Sequence, residues 1–164
     1  MDRLDIREAG AHDLPVCEDI LRSLPDWFGI EESIQEYAAA IRKMPTVAAT
    51  RNGQVIGFLA LHRHNEVTAE IHVMAVREEY HRAGAGSALV AAAERWSREQ
   101  GCRLLEVKTL GPSHPSEHYQ RTRAFYAARG FLPLEELEGL WPGNPCLIMV
   151  KVLGAATPEE GPTR

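Results

Sequence analysis

The chain has 164 residues, 45% of them apolar and 25% charged, with a formal net charge of −5 at pH 7. That is enough chain and apolar content for one globular domain with a real core, and the acid excess lacks the basic footprint of a general nucleic-acid binder. No apolar run reaches a membrane-spanning length, no signal-peptide apolar region follows Met1, and Cys17, Cys102 and Cys146 match neither a zinc pattern nor a disulfide framework. The expectation is a reducing, cytoplasmic setting, with no metal, membrane or nucleic-acid partner.

Leu4 to Glu8 reads as a first strand. Asp13 is a candidate N-cap for a helix carrying Leu14, Cys17, Ile20, Leu21 and Leu24 along one side. Pro25-Asp26-Trp27-Phe28-Gly29 breaks that helix, and its adjacent aromatics form either a plug for the core or a wall of a ligand pocket. A second helix is predicted over 31–43, with Ile34, Tyr37, Ala38 and Ile41 at helical spacing. Glu31, Glu32 and Glu36 near its start suit the helix dipole; attraction of a cationic substrate is the sharper alternative. Thr46–Thr50 and Gln54–Leu61 are strands joined by the hairpin signal Asn52-Gly53. His62 to Asn65 reads as an exposed polar turn; a metal shared by His62 and His64 would need a third ligand that the neighbouring sequence does not offer.

Residues 69–76, Ala-Glu-Ile-His-Val-Met-Ala-Val, form the next strand. Period-two alternation assigns Glu70, His72, Met74 and Val76 to one face, and Ala69, Ile71, Val73 and Ala75 to the other. From Ser87 the period becomes helical, with Ala88, Leu89, Ala92 and Trp96 on one stripe and Gly101 as the stop. Between strand and helix lies Gly84-Ala85-Gly86. Glycines admit close approach to the backbone, and the unpaired N–H groups and dipole of a helix start favour an anion. Arg82 adds a full charge. The Walker loop needs a lysine after the second glycine, where Ser87 stands, and the dinucleotide fingerprint needs a third glycine where Leu89 stands.

Leu104–Thr109 is a further strand, followed by a turn-rich loop over 110–116. Tyr119 to Arg129 is a helix closed by Gly130. Phe131–Leu134 and Cys146–Val152 complete the strands, separated by the acidic segment Glu135 to Glu138 and a loop over 141–145. A single domain over 1–153 is expected, with a disordered tail over 154–164, which contains no apolar residue larger than alanine. The alternation of strands and helices with an early hairpin indicates an α/β fold.

His81-Arg82-Ala83-Gly84-Ala85-Gly86 resembles the acetyl-CoA loop of the GNAT acetyltransferases, Gln/Arg-x-x-Gly-x-Gly/Ala, with His81 departing at the first position. Ala69-Glu70-Ile71 stands at the distance before the loop where the family's histone-acetylating branch carries its general base. Residues 123–131 resemble the later Phe-Tyr-x-x-x-Gly-Phe motif. The resemblance spans residues 3–152. It implies a mostly antiparallel mixed sheet with helices on both faces, whose fourth and fifth strands part to admit the pantetheine arm. It implies cofactor contacts from Met74, Ala75, Val76 and the loop His81 to Ser87, with acetyl-CoA as acyl donor. It implies Glu70 as general base, with His72 on the same face as the reserve, and Tyr126 as general acid. Trp27 and Phe28 then border the acceptor, with His72 beside them. The implied activity is transfer of an acetyl group to a primary amine of a small molecule or peptide. A non-catalytic acyl-CoA-binding or sensing module is the alternative, disfavoured by the presence of both Glu70 and Tyr126. The asparagine that many members carry before the last helix is missing; Ser113 and Ser116 stand in that region. Homodimerisation is an open option, and the acceptor is not legible.

Overall fold

The computed structural model describes residues 3–154. The tail expected to be disordered lies, beyond Gly154, outside the described residues. The strands are β1 (Leu4–Glu8), β2 (Thr46–Arg51), β3 (Gln54–Arg63), β4 (Thr68–Val76), β5 (Leu104–Leu110), β6 (Leu132–Trp141) and β7 (Asn144–Val152). The helices are α1 (Leu14–Arg22), α2 (Glu31–Ile41), α3 (Ala85–Glu99) and α4 (Glu117–Ala128). One sheet takes the order β1-β2-β3-β4-β5-β7-β6. Every neighbouring pair is antiparallel except β4 with β5. A parallel pair needs a crossover connection, and α3 supplies it.

Helices cover both faces. On one, Leu89, Val90 and Ala93 of α3 pack with Leu59, Ile71, Leu105 and Met149, and Tyr126 of α4 joins them. On the other, Cys17, Ile20 and Leu21 of α1 and Ile34 and Ile41 of α2 pack on Phe58, Ala60, Val73 and Ala75. Of the stripes expected for these helices, Cys17, Ile20, Leu21, Ile34, Ala38, Ile41, Leu89 and Ala92 are buried, whereas Leu14, Tyr37, Ala88 and Trp96 are half-buried, and α3 buries Val90, Ala93 and Ser97 as well. Cys17, Cys102 and Cys146 are buried, unpaired thiols.

β4 departs from strict alternation. Ala60 pairs with Val73 and Leu61 with Ile71, so His72 is an extra residue opposite β3, a β-bulge. The slip splits the face expected to carry Glu70, His72, Met74 and Val76. Met74 and Val76 pack on the α3 side, with Ile71. Val73 and Ala75 pack on the α1/α2 side, where His72 meets the Tyr37 ring edge-on at 5.7 Å.

Two further expectations change. The acidic segment Glu135 to Glu138 belongs to β6 and is not a connection. β6 is the sheet edge, where one row of backbone groups meets water and carboxylates are tolerated; they also discourage edge pairing. Asp13 stands at the N-cap position of α1 but makes no side-chain cap bond. Its carboxylate instead accepts both Arg7 guanidinium nitrogens at 2.7 and 2.9 Å and the Gly10 N–H at 2.7 Å, tying β1 to the start of α1.

Candidate active site

The parallel pairing of β4 with β5 runs from Thr68↔Leu104 to Ile71↔Val107 and stops. β4 continues to Val76 and β5 to Leu110, so the backbone beyond Ile71 no longer meets a β5 partner. A cleft of about 860 Å³ opens where the strands part, bounded by β4, β5, the glycine loop, α4 and the α1–α2 connection. This size suits a cofactor-sized ligand.

One end of the cleft gathers groups that favour an anion. Arg82 and Gly84 adopt left-handed backbone angles, with φ of 68° and 88°, which turn the chain from the strand into α3. Gly84 is the residue before the helix, so the free N–H groups of the first turn open onto the loop. A Cβ on Gly86 would lie 3.1 Å from the Phe125 ring; the glycine is what lets α4 approach the loop. Arg129 stacks over Phe125 at 3.6 Å and hydrogen-bonds Ser87 Oγ, which places a guanidinium beside the loop in addition to Arg82. His81 departs from the loop pattern and turns its side chain inward: Nε2–H donates to the Val76 carbonyl at 2.7 Å. Met74, Ala75, Val76, His81, Arg82, Gly84, Gly86 and Ser87 all line the cleft, whereas Ala83 and Ala85 do not. Thr109 also lines it, and its Oγ1 is buried without a hydrogen-bond partner. Such orphans are uncommon, and this one suits the amide-bearing arm of a pantetheine. The loop amides, the two guanidinium groups and Thr109 together fit acetyl-CoA.

The other end is aromatic. Trp27, Phe28, Tyr37, His72 and Tyr119 line it. The connection carrying Trp27 is clipped to α4: Tyr119 Oη donates to the Trp27 carbonyl at 2.7 Å, and Trp27 Nε1 donates to Thr122 Oγ1 at 3.2 Å. The Trp27 ring meets His81 edge-on at 5.5 Å, linking this wall to the glycine loop. Burial pushes the Tyr119 hydroxyl up to about 12.

Glu70 is not among the cleft-lining residues. It is buried, and its Oε2 accepts from Lys108 Nζ at 2.7 Å and from His64 Nε2 at 2.7 Å. Lys108 also pairs with Glu106 at 2.8 Å. Burial pulls the Lys108 ammonium down, but its bonds to Glu106 and Glu70 outweigh this and its pKa is raised. His64, Glu70 and Glu106 present ligand atoms within 4.8 Å of one another, and Lys108 is the cation bound among them. His62 is not part of this group, so the group is not the His62–His64 site considered from the sequence.

His72, the bulged residue, does line the cleft and is half-buried. Burial lowers its pKa, opposed by the charge of Glu70 and reinforced by His62, Lys108 and His64. Tyr126 lines the cleft from α4 with its ring between Phe125 and Phe131, and burial raises its pKa. Of the two serines considered for the missing asparagine, Ser116 caps α4, its Oγ accepting from the Tyr119 N–H at 3.3 Å. The acids considered as an attraction for a cationic substrate, Glu31, Glu32 and Glu36, do not line the cleft, and Glu31 pairs with Arg22 at 2.7 Å. Lys108, Thr109, Tyr119 and Arg129 are the site residues that sequence reasoning missed. Only Arg129, inside the later motif, carried a local signal.

Residues 15–131 match the sequence profile of the acetyltransferase (GNAT) family. Among solved structures, the chain resembles the ribosomal-protein-S18-alanine N-acetyltransferase from Escherichia coli at 18% identity and TM-score 0.76, over 96% of this chain and 98% of that one. It resembles a GNAT family acetyltransferase from Elizabethkingia anophelis with acetyl-CoA bound at 19% identity and TM-score 0.73, over 93% and 100% of the two chains. It resembles the aminoglycoside 6'-N-acetyltransferase from Enterococcus faecium at 19% identity and TM-score 0.72, over 93% and 99%. At these identities the likeness is one of fold. No curated protein matches the sequence. The profile match covers most of the chain, and the protein belongs to the GNAT family of acetyltransferases.

Proposed function

We propose, from the premise that the chain is a GNAT acetyltransferase, that it transfers an acetyl group from acetyl-CoA to a primary amine bound at the aromatic end of the cleft. The observation that carries this is the parting of β4 from β5 beyond Ile71, with an anion-binding loop at one end of the opening and an ionisable side chain, His72, at the other. Acetyl-CoA, when bound, supplies the activated thioester. Residues 84–87 and the Arg82 and Arg129 guanidinium groups hold its phosphates, and the β4 backbone over 74–76 pairs with its amides much as an added strand would.

An amine of pKa about 10.4 is protonated at neutral pH and must lose a proton before it attacks. We assign proton acceptance to His72, which faces the cleft and is kept neutral by burial. Glu70 then acts through His72: its charge, a favourable influence on the imidazolium, stabilises the protonated ring. This changes the expected role of Glu70, because its carboxylate is already engaged by Lys108 and His64. Tyr126, protonated throughout the working pH range, donates to the leaving sulfur. Trp27 and Phe28 hold the acceptor.

The protein is proposed to work as a single cytoplasmic domain, with any homodimer open to test. No helix among the described residues is long and apolar enough to cross a membrane. The test is calorimetry with acetyl-CoA together with thiol release in the presence of an amine panel. Binding and acceptor-dependent release are expected; binding with no release for any amine would favour the acyl-CoA-sensing alternative.

A further inference from the structure

The acceptor end of the cleft contains a lysine N–H that has no partner among the described residues. A lysine ammonium has three N–H groups. Lys108 gives one to Glu70 Oε2 at 2.7 Å and one to Glu106 Oε1 at 2.8 Å. The third has no partner among the described residues, and Lys108 lines the cleft close enough to His72 to act on it electrostatically. A second ammonium on the substrate could not take this bond; an oxygen acceptor could.

The surrounding charge points the same way. Glu78 is the one carboxylate among the described residues lining the cleft, and it lies on the turn before the glycine loop. The remaining charged lining is cationic: Arg82, Lys108, Arg121 and Arg129; with Arg82 and Arg129 assigned to the cofactor phosphates, Lys108 and Arg121 remain for the acceptor. A polyamine or aminoglycoside would bring further ammonium groups beside Lys108, where the nearby carboxylates Glu70 and Glu106 are already engaged by Lys108 and do not line the cleft, and an unpaired buried charge is costly. The walls Trp27, Phe28 and Tyr37 offer apolar area and aromatic edges instead.

We infer that the acceptor is an α-amino carbonyl compound with an aromatic or large apolar side chain. The side chain lies against Trp27, Phe28 and Tyr37, the amine meets His72, and the neighbouring carbonyl or carboxylate oxygen accepts the free N–H of Lys108. A free amino acid and the first residue of a peptide share this chemistry. The inference rests on the transferase reading and narrows it.

The experiment is acetylation by the full chain of four amines, with kcat/KM expressed per unprotonated amine: phenylalanine, phenylalaninamide, phenethylamine and spermidine. At least one of the first two should exceed both of the others tenfold or more. The acid over the amide would point to free amino acids, the amide over the acid to peptide N-termini. In Lys108→Met the preference over phenethylamine should fall towards one, while the wild-type ranking needs no variant to fold. Phenethylamine or spermidine matching the carbonyl compounds, or no turnover of any of the four, would overturn the inference. Failure of acetyl-CoA itself to bind, measured by calorimetry on the same sample, would instead overturn the transferase reading.

Discussion

Lys108, one residue beyond the last paired position of β5, and Glu70, one residue before the last paired position of β4, are joined by a 2.7 Å ion pair. The strands lose their backbone ladder at Ile71↔Val107, and the side-chain pair bridges the start of the opening. Glu70 is thereby held under the floor of the cleft, and the bulge brings His72 to its surface. In the proposed mechanism the residue with the family's signature and the residue facing the acceptor are therefore different, and the chemistry is divided between them.

Asp13 should carry a measurable share of stability. The Arg7 guanidinium, with help from the Gly10 N–H, holds its carboxyl down at about 2 despite burial. A depressed carboxylate pKa contributes stability above the unfolded pKa near 3.9 that is lost as pH falls through the folded value. Asp13→Asn should therefore cost about 2 kcal/mol at pH 7, since each tenfold change in proton affinity is worth about 1.36 kcal/mol. The difference from wild type should shrink below pH 4 and vanish near pH 1–2. Urea titrations at pH 7 and pH 3 check this; a penalty equal at both would detach it from the ionised carboxylate.

The two glycines of the loop should fail in different ways. Gly84 has φ of 88° and open space around a would-be Cβ. Gly84→Ala should lower stability by about 1–2 kcal/mol, the cost of a left-handed non-glycine residue, and weaken acetyl-CoA binding through the altered turn. Gly86→Val meets the Phe125 ring at once. It should push α4 from the loop, disturb the Arg129 stack, and abolish measurable acetyl-CoA binding in a protein that still melts cooperatively. Calorimetry and thermal melts on both variants separate the outcomes; normal affinity in a folded Gly86→Val would remove the loop from the cofactor site.

The sequence made the β4–loop–α3 unit legible because its signals are local: a change of period, two spaced glycines and a helix stop lie within about thirty consecutive residues, the size of one supersecondary unit. The bulge at His72 was not legible, because it comes from the register against β3 and not from β4 itself. Lys108 was hidden for a similar reason. Alternation along 104–109 turns it off the α3 side, but its partner Glu70 lies 38 residues earlier in the chain. Glu135 to Glu138 read as a connection because composition says acidic, and only topology says edge. The clip between Tyr119 and Trp27 spans 92 residues, beyond any periodicity argument.

Trp27 should act on the acceptor more than on the cofactor. Its backbone is held by Tyr119 and its ring by Thr122, His81 and His118. Trp27→Ala should raise acceptor KM about tenfold or more, in line with the loss of a buried aromatic contact worth about 1–2 kcal/mol, with acetyl-CoA KM changing much less. Tyr119→Phe, which removes only the clip, should give a smaller shift in the same direction. Equal effects on both substrates would return Trp27 to a packing role.

Tyr126→Phe should lower kcat by about ten- to a hundredfold, at or below the lower end of general acid catalysis, because a thiolate of pKa about 8.5 leaves tolerably unaided. Acetyl-CoA affinity should hardly change, since the ring contacts with Phe125 and Phe131 survive. With the hydroxyl pKa raised by burial, the wild-type rate should show no alkaline loss from Tyr126 below pH 10. Lost affinity with unchanged kcat would make the residue a packing partner of the pantetheine.

The division of labour between His72 and Glu70 is decided by paired pH profiles. kcat/KM reports the pKa values of groups on the free enzyme, and His72 must be neutral to accept a proton. Because burial sets its pKa below the usual 6.5, the acid limb of wild type should fall below pH 6.5 once rates are expressed per unprotonated acceptor. His72→Gln should remove that limb and lower the rate about a hundred- to ten-thousandfold, the usual worth of a general base. Glu70→Gln removes the one charge that raises the His72 pKa, so the limb should remain and move to lower pH. Its rate loss should be smaller, since the imidazole is still in place but its protonated form is less stable. Lys108 keeps Glu106 as a partner in that variant, and circular dichroism and thermal melts show whether the site is intact. If Glu70 were instead the direct base, the pattern would reverse: Glu70→Gln would lose the limb, and His72→Gln would keep it. A wild-type limb in both variants would remove both residues from proton transfer.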